Sequence, residues 1–245
     1  LRTTRPSGEE LRLWRDAGDD PGVVLLDGFH ALKHALRFDA YIRVALAADK
    51  PAVLELAASL APDLLTDLDV LLAPVPADQL RLLVPRLHPT GVAALADRPA
   101  TGLAADRAAP VVLLEEPRNL GNVGAVIRLA AGAGAAGVVT TGPLDPWHPT
   151  VVRAAAGLHY ATAVAAADLD DLPAGPILAF DPAGADVRSV PVPPGALLAF
   201  GSERHGLSAA LKSRADHLVA LPMRPQVSSY NLATSVAMAL FHWMS

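Results

Sequence analysis

Short apolar runs alternate with amphipathic segments along most of this chain. From Val23 onward, "VVLLD" predicts a strand, "GFHALKHALRF" a helix, "IRVALAA" a strand and "PAVLELAASLA" a helix. "VLLAPVPADQLRLLVPRL" predicts a further strand and helix, and "TGVAALAD" a closing strand, so a compact α/β unit ends near Pro99. The stretch "RPATGLAADRAAP", Arg98 to Pro110, has no apolar period and is rich in Ala, Pro and Gly, the marks of a linker. Two domains are therefore expected, 1–104 and 108–245.

Beyond the linker the alternation resumes. "VVLLEEP", "GVVTTG", "TAVAAA", "PILAFD", "GALLAFGSE" and "HLVALPM" read as strands. "RNLGNVGAVIRLAAGAG", "HPTVVRAAAGLHYA", "HGLSAALKSRA" and "SSYNLATSVAMALFHWM" read as helices. Strand and helix in regular turn predict an α/β fold with a mostly parallel sheet covered by helices on both faces. Gly132, Gly134 and Gly137 have the G-x-G-x-x-G spacing of a dinucleotide site, but they follow a helix and precede a strand, the reverse of what that site requires. They read better as the end of a helix, where glycine reaches left-handed backbone angles.

Composition narrows the function classes. There are no cysteines, which excludes disulfides and thiolate metal sites, and no metal centre is expected. Apolar runs such as "VVLL" are far short of the ~20 residues that span a bilayer, so no membrane segment is expected. "LRTTRPSGEELRLW" lacks the apolar core and cleavage site of a signal peptide, and the lack of cysteines fits an expected cytoplasmic location. The net charge of −5 argues against a protein that coats nucleic acid, though not against one with a local basic site.

Candidate chemistry gathers in segments at the ends of predicted strands, where open α/β sheets place their ligands. "NLGNVGAVIR" holds Asn122 and Arg128, "FGSERHGLS" holds Glu203 between Gly201 and Gly206, and "LPMRPQVSSYNLATSVAMALFHW" holds Ser229 and Asn231. Singly, each has a bland alternative. Asn122, Ser229 or Asn231 can cap a helix, Arg128 can be a solvated helix residue, and Glu203 an ordinary loop carboxylate.

Together, in this order and spacing, these segments resemble the three motifs of the SpoU (TrmH-type) branch of the SPOUT methyltransferases, over nearly all of 110–245. The first domain is similar to the ribosomal-protein-like substrate-binding domain that often precedes it. "LLDGFHALKHAL" matches a Glu-Gly-helix pattern with Asp27 in place of Glu, and "HPTGVAAL" matches His-Pro-Gln-Gly-Val-x-Ala with Thr90 in place of Gln. The resemblance implies an enzyme that methylates a ribose 2′-hydroxyl in RNA with S-adenosylmethionine, a deep trefoil knot formed by roughly 195–245, and a homodimer; the last apolar helix, "ATSVAMALFHWM", either contributes to the dimer contact or packs in the core. Ribosomal RNA of the large subunit is the expected substrate; tRNA, or an inactive RNA-binding member of the family, are the alternatives. A nicotinamide-dependent oxidoreductase is the rival from another class, and the glycine order counts against it.

Carried over residue by residue, the resemblance gives Arg128 the target ribose and its phosphate. A guanidinium stays protonated at any pH the reaction uses, so its implied role is stabilising charge on the reacting oxygen. Asn122 and Asn231 would orient Arg128 or the ribose, Ser229 would fix the cofactor or a substrate phosphate, and Glu203 would anchor an arginine, Arg128 being the expected one. Gly201, Leu221, Met223, Ser229 and Tyr230 match cofactor positions, with Tyr230 where Leu is usual. Arg153, in "HPTVVRAAAGLHY", is either an RNA contact or a surface residue. His30, Lys33, His34 and Arg37 crowd one short helix, either as contacts to RNA phosphates or as a solvated face.

Overall fold

The computed structural model describes residues 8–18, 20–100 and 102–245. Part of the N-terminal stretch read for a signal peptide, 1–7, lies outside them. The chain divides into two units, one of Leu1–Ala100 with Ala156–Ala161, the other of Thr101–Ala155 with Thr162–Ser245.

The first unit carries α1 (Gly8–Gly18), β1 (Val23–Asp27), α2 (Phe29–Arg37), β2 (Ile42–Ala47), α3 (Lys50–Leu60), α4 (Leu65–Leu71), β3 (Leu72–Pro74), α5 (Ala77–Leu83) and β4 (Val92–Asp97). Its sheet runs β1-β4-β2-β3; β4 is antiparallel to both its neighbours and β2 is parallel to β3. Val44, Leu46, Ala93 and Leu95 from the central strands pack with Leu80 and with Trp14 of α1. The reading of "VLL" as a strand is corrected at its start. Leu64 and Leu68 are buried at helical spacing, so the chain stays helical to Leu71 and Val70 is 85% exposed. The "DGF" and "HPTG" motifs meet. Thr90 Oγ1 accepts from Phe29 N at 3.0 Å, and Gly28, at φ 97°, leaves the room that a Cβ would take from the His88 ring, 2.6 Å away.

The second unit carries β5 (Val111–Leu114), α6 (Leu120–Ala133), β6 (Gly137–Thr140), α7 (Pro149–Ala154), β7 (Ala163–Ala166), β8 (Ile177–Asp186), β9 (Leu197–Phe200), α8 (Ala209–Arg214), β10 (His217–Ala220) and α9 (Leu232–Met244). The sheet, in the order β10-β8-β9-β5-β6-β7, is parallel at every pairing. β5, β6 and β9 are buried at every position, as strands covered on both faces must be. Successive strands step from β5 to β6 to β7 in one direction, whereas β9 lies on the other side of β5. The strand order therefore reverses between β5 and β9, the place where sheets of this kind open a crevice at their carboxyl ends.

Gly134, at φ 73°, ends α6, and Gly137 opens β6, so the glycine triplet terminates a helix. The linker reading needs amendment in its second half. Leu103 packs on the core of the second unit, and Arg107 donates to the carbonyls of Ala174 and Gly195. The helix predicted through "HPTVVRAAAGLHYA" stops at Ala154, because Ala156 and Gly157 take left-handed angles (φ 51° and 73°). Gly157 then passes so near α2 that a Cβ would lie 2.5 Å from Ala31 O, and burial pushes the Tyr160 phenol pKa up.

Candidate functional site

α6 brings the first motif to the crevice. Asn119, not Asn122, is its N-cap, accepting from Asn122 N at 3.0 Å. That frees the Asn122 side chain, whose Nδ2 donates to Glu203 Oε1 at 2.8 Å. Asn122 Oδ1 in turn accepts from Asn231 Nδ2 at 3.2 Å. Asn231 caps α9 with its other atom, Oδ1, which accepts from Ala233 N at 2.9 Å. One relay, Asn231 to Asn122 to Glu203, thus joins all three motifs, and the cap leaves each amide only one orientation that satisfies it. Gly124 sets α6 against α7, since a Cβ there would lie 2.6 Å from Val151 O.

The loop after β9 is a tight hairpin in which Gly206 N donates to Ser202 O at 2.9 Å. Its base is held by a residue that the motif reading passed over. Glu115, 4% exposed at the end of β5, accepts from Ser208 N at 2.7 Å and from Ser208 Oγ at 2.6 Å. Ser208 also caps α8 through Leu211 N. A glutamine at 115 has one acceptor oxygen for these two donors. Glu115→Gln is therefore expected to lower stability by ~1–3 kcal/mol, read as a lower melting temperature.

These loops enclose a cavity of about 660 Å³, lined by residues that include Gly201, Glu203, Leu221, Met223, Ser229, Tyr230 and Asn231. Tyr230 closes one side, its hydroxyl donating to Pro222 O at 3.0 Å. Residues not singled out from the sequence also line it, among them Phe180, Asp181 and Pro182 from β8 and Arg204 from the β9 hairpin. The volume suits a small organic cofactor. The lining offers apolar side chains for an aromatic base, hydroxyl and amide groups for polar tails, and at Gly201 a backbone with no side chain in the way. Such a donor set fits S-adenosylmethionine. Among the described residues no His, Asp or Glu cluster is arranged to hold a metal ion.

Arg128 is exposed on α6, six residues beyond Asn122, and does not line the cavity. Within this chain the bond to Glu203 comes from Asn122, which donates to its Oε1. Arg153 is half-buried on α7, whose helix packs on α6 through Gly124. The cations of α2 are solvated only in part. Lys33 is 9% exposed, His34 Nδ1 lies 2.8 Å from Ala156 O, and Arg37 grips Asp63 through Nε at 2.8 Å and Nη2 at 2.5 Å. His30 and Arg37 are exposed, and the His30 ring stands edge-on to Phe29 with centroids 5.8 Å apart.

Comparison with known proteins adds to this geometry. The model of the SpoU rRNA Methylase family matches residues 109–241. The 23S rRNA (guanosine(2553)-2′-O)-methyltransferase RlmP of Bacillus subtilis is 26% identical over 226 residues, covering 89% of this chain and 87% of its own. A crystal structure of an RNA 2′-O ribose methyltransferase aligns with a TM-score of 0.74 and 27% identity over 99% of this chain and 96% of its own. An AdoMet-bound rRNA methyltransferase from Sinorhizobium meliloti shares the fold with a TM-score of 0.75, at 24% identity over 99% of this chain and 95% of its own.

Proposed function

The chain belongs to the SpoU rRNA Methylase family, and from that premise we propose that it methylates a ribose 2′-hydroxyl of large-subunit ribosomal RNA, with the cavity between the three motifs as its cofactor site. Its cofactor is S-adenosylmethionine, which supplies an electrophilic methyl group on a sulfonium. The observation that carries the reading is the convergence of Gly201, Leu221, Met223, Ser229 and Tyr230 on one cavity, with Asn122 tied to its rim.

Methyl transfer to a hydroxyl needs the oxygen in line with the methyl group and the developing negative charge met by a cation. Asn231 and Asn122 hold Glu203 and the β9 hairpin in place, so the cavity wall is preorganised. Arg128 meets the ribose oxygen and its phosphate from α6, with Ser229 on the cavity side. The first unit recognises the RNA, with His30, Lys33, Arg37 and, on the second unit, Arg153 as its contacts. Of these, Arg37 must exchange its Asp63 partner for a phosphate, and Lys33 must emerge from its buried position. The C-terminal segment after β9 is threaded as a trefoil, and the enzyme works in the cytoplasm as a homodimer. Support for the dimer comes from α9, which buries Val236 and Leu240 and leaves Met238, Phe241 and Met244 37%, 70% and 54% exposed. Among the described residues no helix is long and apolar enough to cross a membrane.

Calorimetry with S-adenosylmethionine and NAD, beside transfer of labelled methyl groups to ribosomal RNA and to tRNA, tests this function. Saturable binding of S-adenosylmethionine alone and label in large-subunit RNA are expected. Binding of NAD without S-adenosylmethionine would overturn the reading, and label in tRNA alone would overturn the substrate.

A further inference from the structure

Strand β8 does not keep step with its neighbour. His217 and Leu218 of β10 pair with Leu178 and Ala179, but Val219 and Ala220 pair with Ala185 and Asp186, so the chain from Phe180 to Gly184 leaves the ladder. The excursion is fixed on all sides. Gly184 lies so close to β10 that a Cβ would sit 2.4 Å from Val219 N. The Phe180 ring stacks on Phe200, centroids 4.4 Å apart and planes at 12°. Asp181 Oδ1 accepts from Ala183 N at 2.9 Å, and Oδ2 pairs with Lys212 Nζ at 2.5 Å. The effect of the excursion is to carry Asp181 into the wall of the cavity that Gly201 and Tyr230 line.

The Asp181 side chain is 15% exposed, and the lysine and the backbone N–H keep its carboxyl below the usual carboxylate range, so it stands ionised beside the cavity. A carboxylate is an acceptor with about four lone-pair sites, of which Lys212 and Ala183 take two. Lys212 also offsets its charge. What Asp181 presents to a ligand is therefore a pair of fixed acceptor sites rather than a bare counter-charge. The complementary group is a vicinal diol, which offers two donors at matching spacing. We propose that Asp181 accepts hydrogen bonds from the ribose 2′- and 3′-hydroxyls of the cofactor and so selects an intact ribose, an inference that rests on the cavity being the S-adenosylmethionine site. Dinucleotide folds place an acidic residue on a ribose hydroxyl from a position about 20 residues past their glycine-rich turn. Here the equivalent acceptor comes from the excursion in β8.

The test is calorimetric titration of the full chain and of Asp181→Asn with S-adenosylmethionine, S-adenosylhomocysteine and the 2′,3′-dideoxy analogue of S-adenosylhomocysteine. Asp181→Asn is expected to bind the first two about tenfold more weakly, since each keeps the diol. The dideoxy analogue is expected to bind the unsubstituted chain about tenfold more weakly than S-adenosylhomocysteine and to lose nothing further in Asp181→Asn. Lys212→Ala, which removes the pairing but keeps the carboxylate, is expected to retain the preference for the diol. A loss confined to S-adenosylmethionine would make Asp181 a partner of the sulfonium charge and overturn the proposal, as would equal affinities of the two proteins. Should Asp181→Asn fail to fold, equal binding of S-adenosylhomocysteine and its dideoxy analogue by the unsubstituted chain overturns it independently. If the unsubstituted chain binds none of the three ligands, the cofactor-site reading itself falls, an outcome distinct from binding that Asp181→Asn leaves unchanged.

Discussion

Arg128→Ala is expected to abolish methyl transfer and to leave cofactor affinity nearly intact. The two readouts separate because Arg128 is not part of the cavity wall, whereas the groups that line the wall are held by Asn122, Asn231 and Glu115 without it. Arg128 follows Asn122 by six residues, which is about 9 Å along the helix and about 120° around it. The Asn122 amide is committed to Glu203, and Arg128, on a different side of the helix, is outside that relay, as its proposed role toward an RNA ribose and phosphate requires. If it stabilises charge on the reacting oxygen, its loss resembles removal of an oxyanion donor, ~10²–10³-fold or more in rate. Arg128→Lys should recover little, since an ammonium lacks the planar fork that spans ribose and phosphate together. Single-turnover methylation at saturating cofactor, beside a cofactor titration for each variant, reads both. A rate within a few-fold of the unsubstituted enzyme for Arg128→Ala would make this residue a structural one.

Gly201→Ala is expected to damage cofactor binding more than alanine at any other described glycine. The added Cβ would lie 1.9 Å from the carbonyl carbon of Gly206 and 2.2 Å from Leu207 N, distances that backbone atoms relieve only by moving. The hairpin is pinned at both sides, by Glu115 through Ser208 and by Asn122 through Glu203, so it has nowhere to yield cheaply. Overpacking of this kind costs ~1–3 kcal/mol or more, here directed at the cavity wall, and a loss of cofactor affinity of ~10-fold or greater follows. Gly132→Ala is the control. No atom lies within 4 Å of its ideal Cβ, so both affinity and melting temperature should stay at or above the parent values. Equal affinities of Gly201→Ala and the parent would remove the hairpin from the cofactor site.

Much of this was legible from the sequence, because the motif residues sit at strand ends and strand ends in a parallel sheet share one edge. The alternation of apolar runs gave every strand of the second unit a place. What escaped it depends on partners distant in the chain. Glu115 reads as the tail of a strand until Ser208, 93 residues later, is brought beside it. "FDPAG" reads as the end of a strand, since nothing local reveals that β8 resumes its pairing at Ala185. Lys33 was within reach. It follows Phe29 by one helical turn, and a residue one turn from a fully buried Phe lies on the buried face whatever its charge. The N-terminal helix α1 is not legible in the sequence because two buried residues, Trp14 and Ala17, give too short a stripe to stand out from a polar segment.

The position of β9 between β5 and β8 has a consequence in time. As the chain leaves a ribosome, β5, β6 and β7 are made first and can pair at once, but β5 keeps one bare edge until β9 arrives. Leu197 follows Leu114 by 83 residues, from the strand limits, so at ~5–20 residues per second that edge waits ~4–17 s. Through that interval an apolar strand with unpaired N–H and C=O groups is open to any other extended chain. Its closure demands a contact between distant segments, which also makes it a slow step in refolding. The strand that builds the cofactor cavity is thus also the one whose late arrival sets how long the nascent protein is exposed to aggregation.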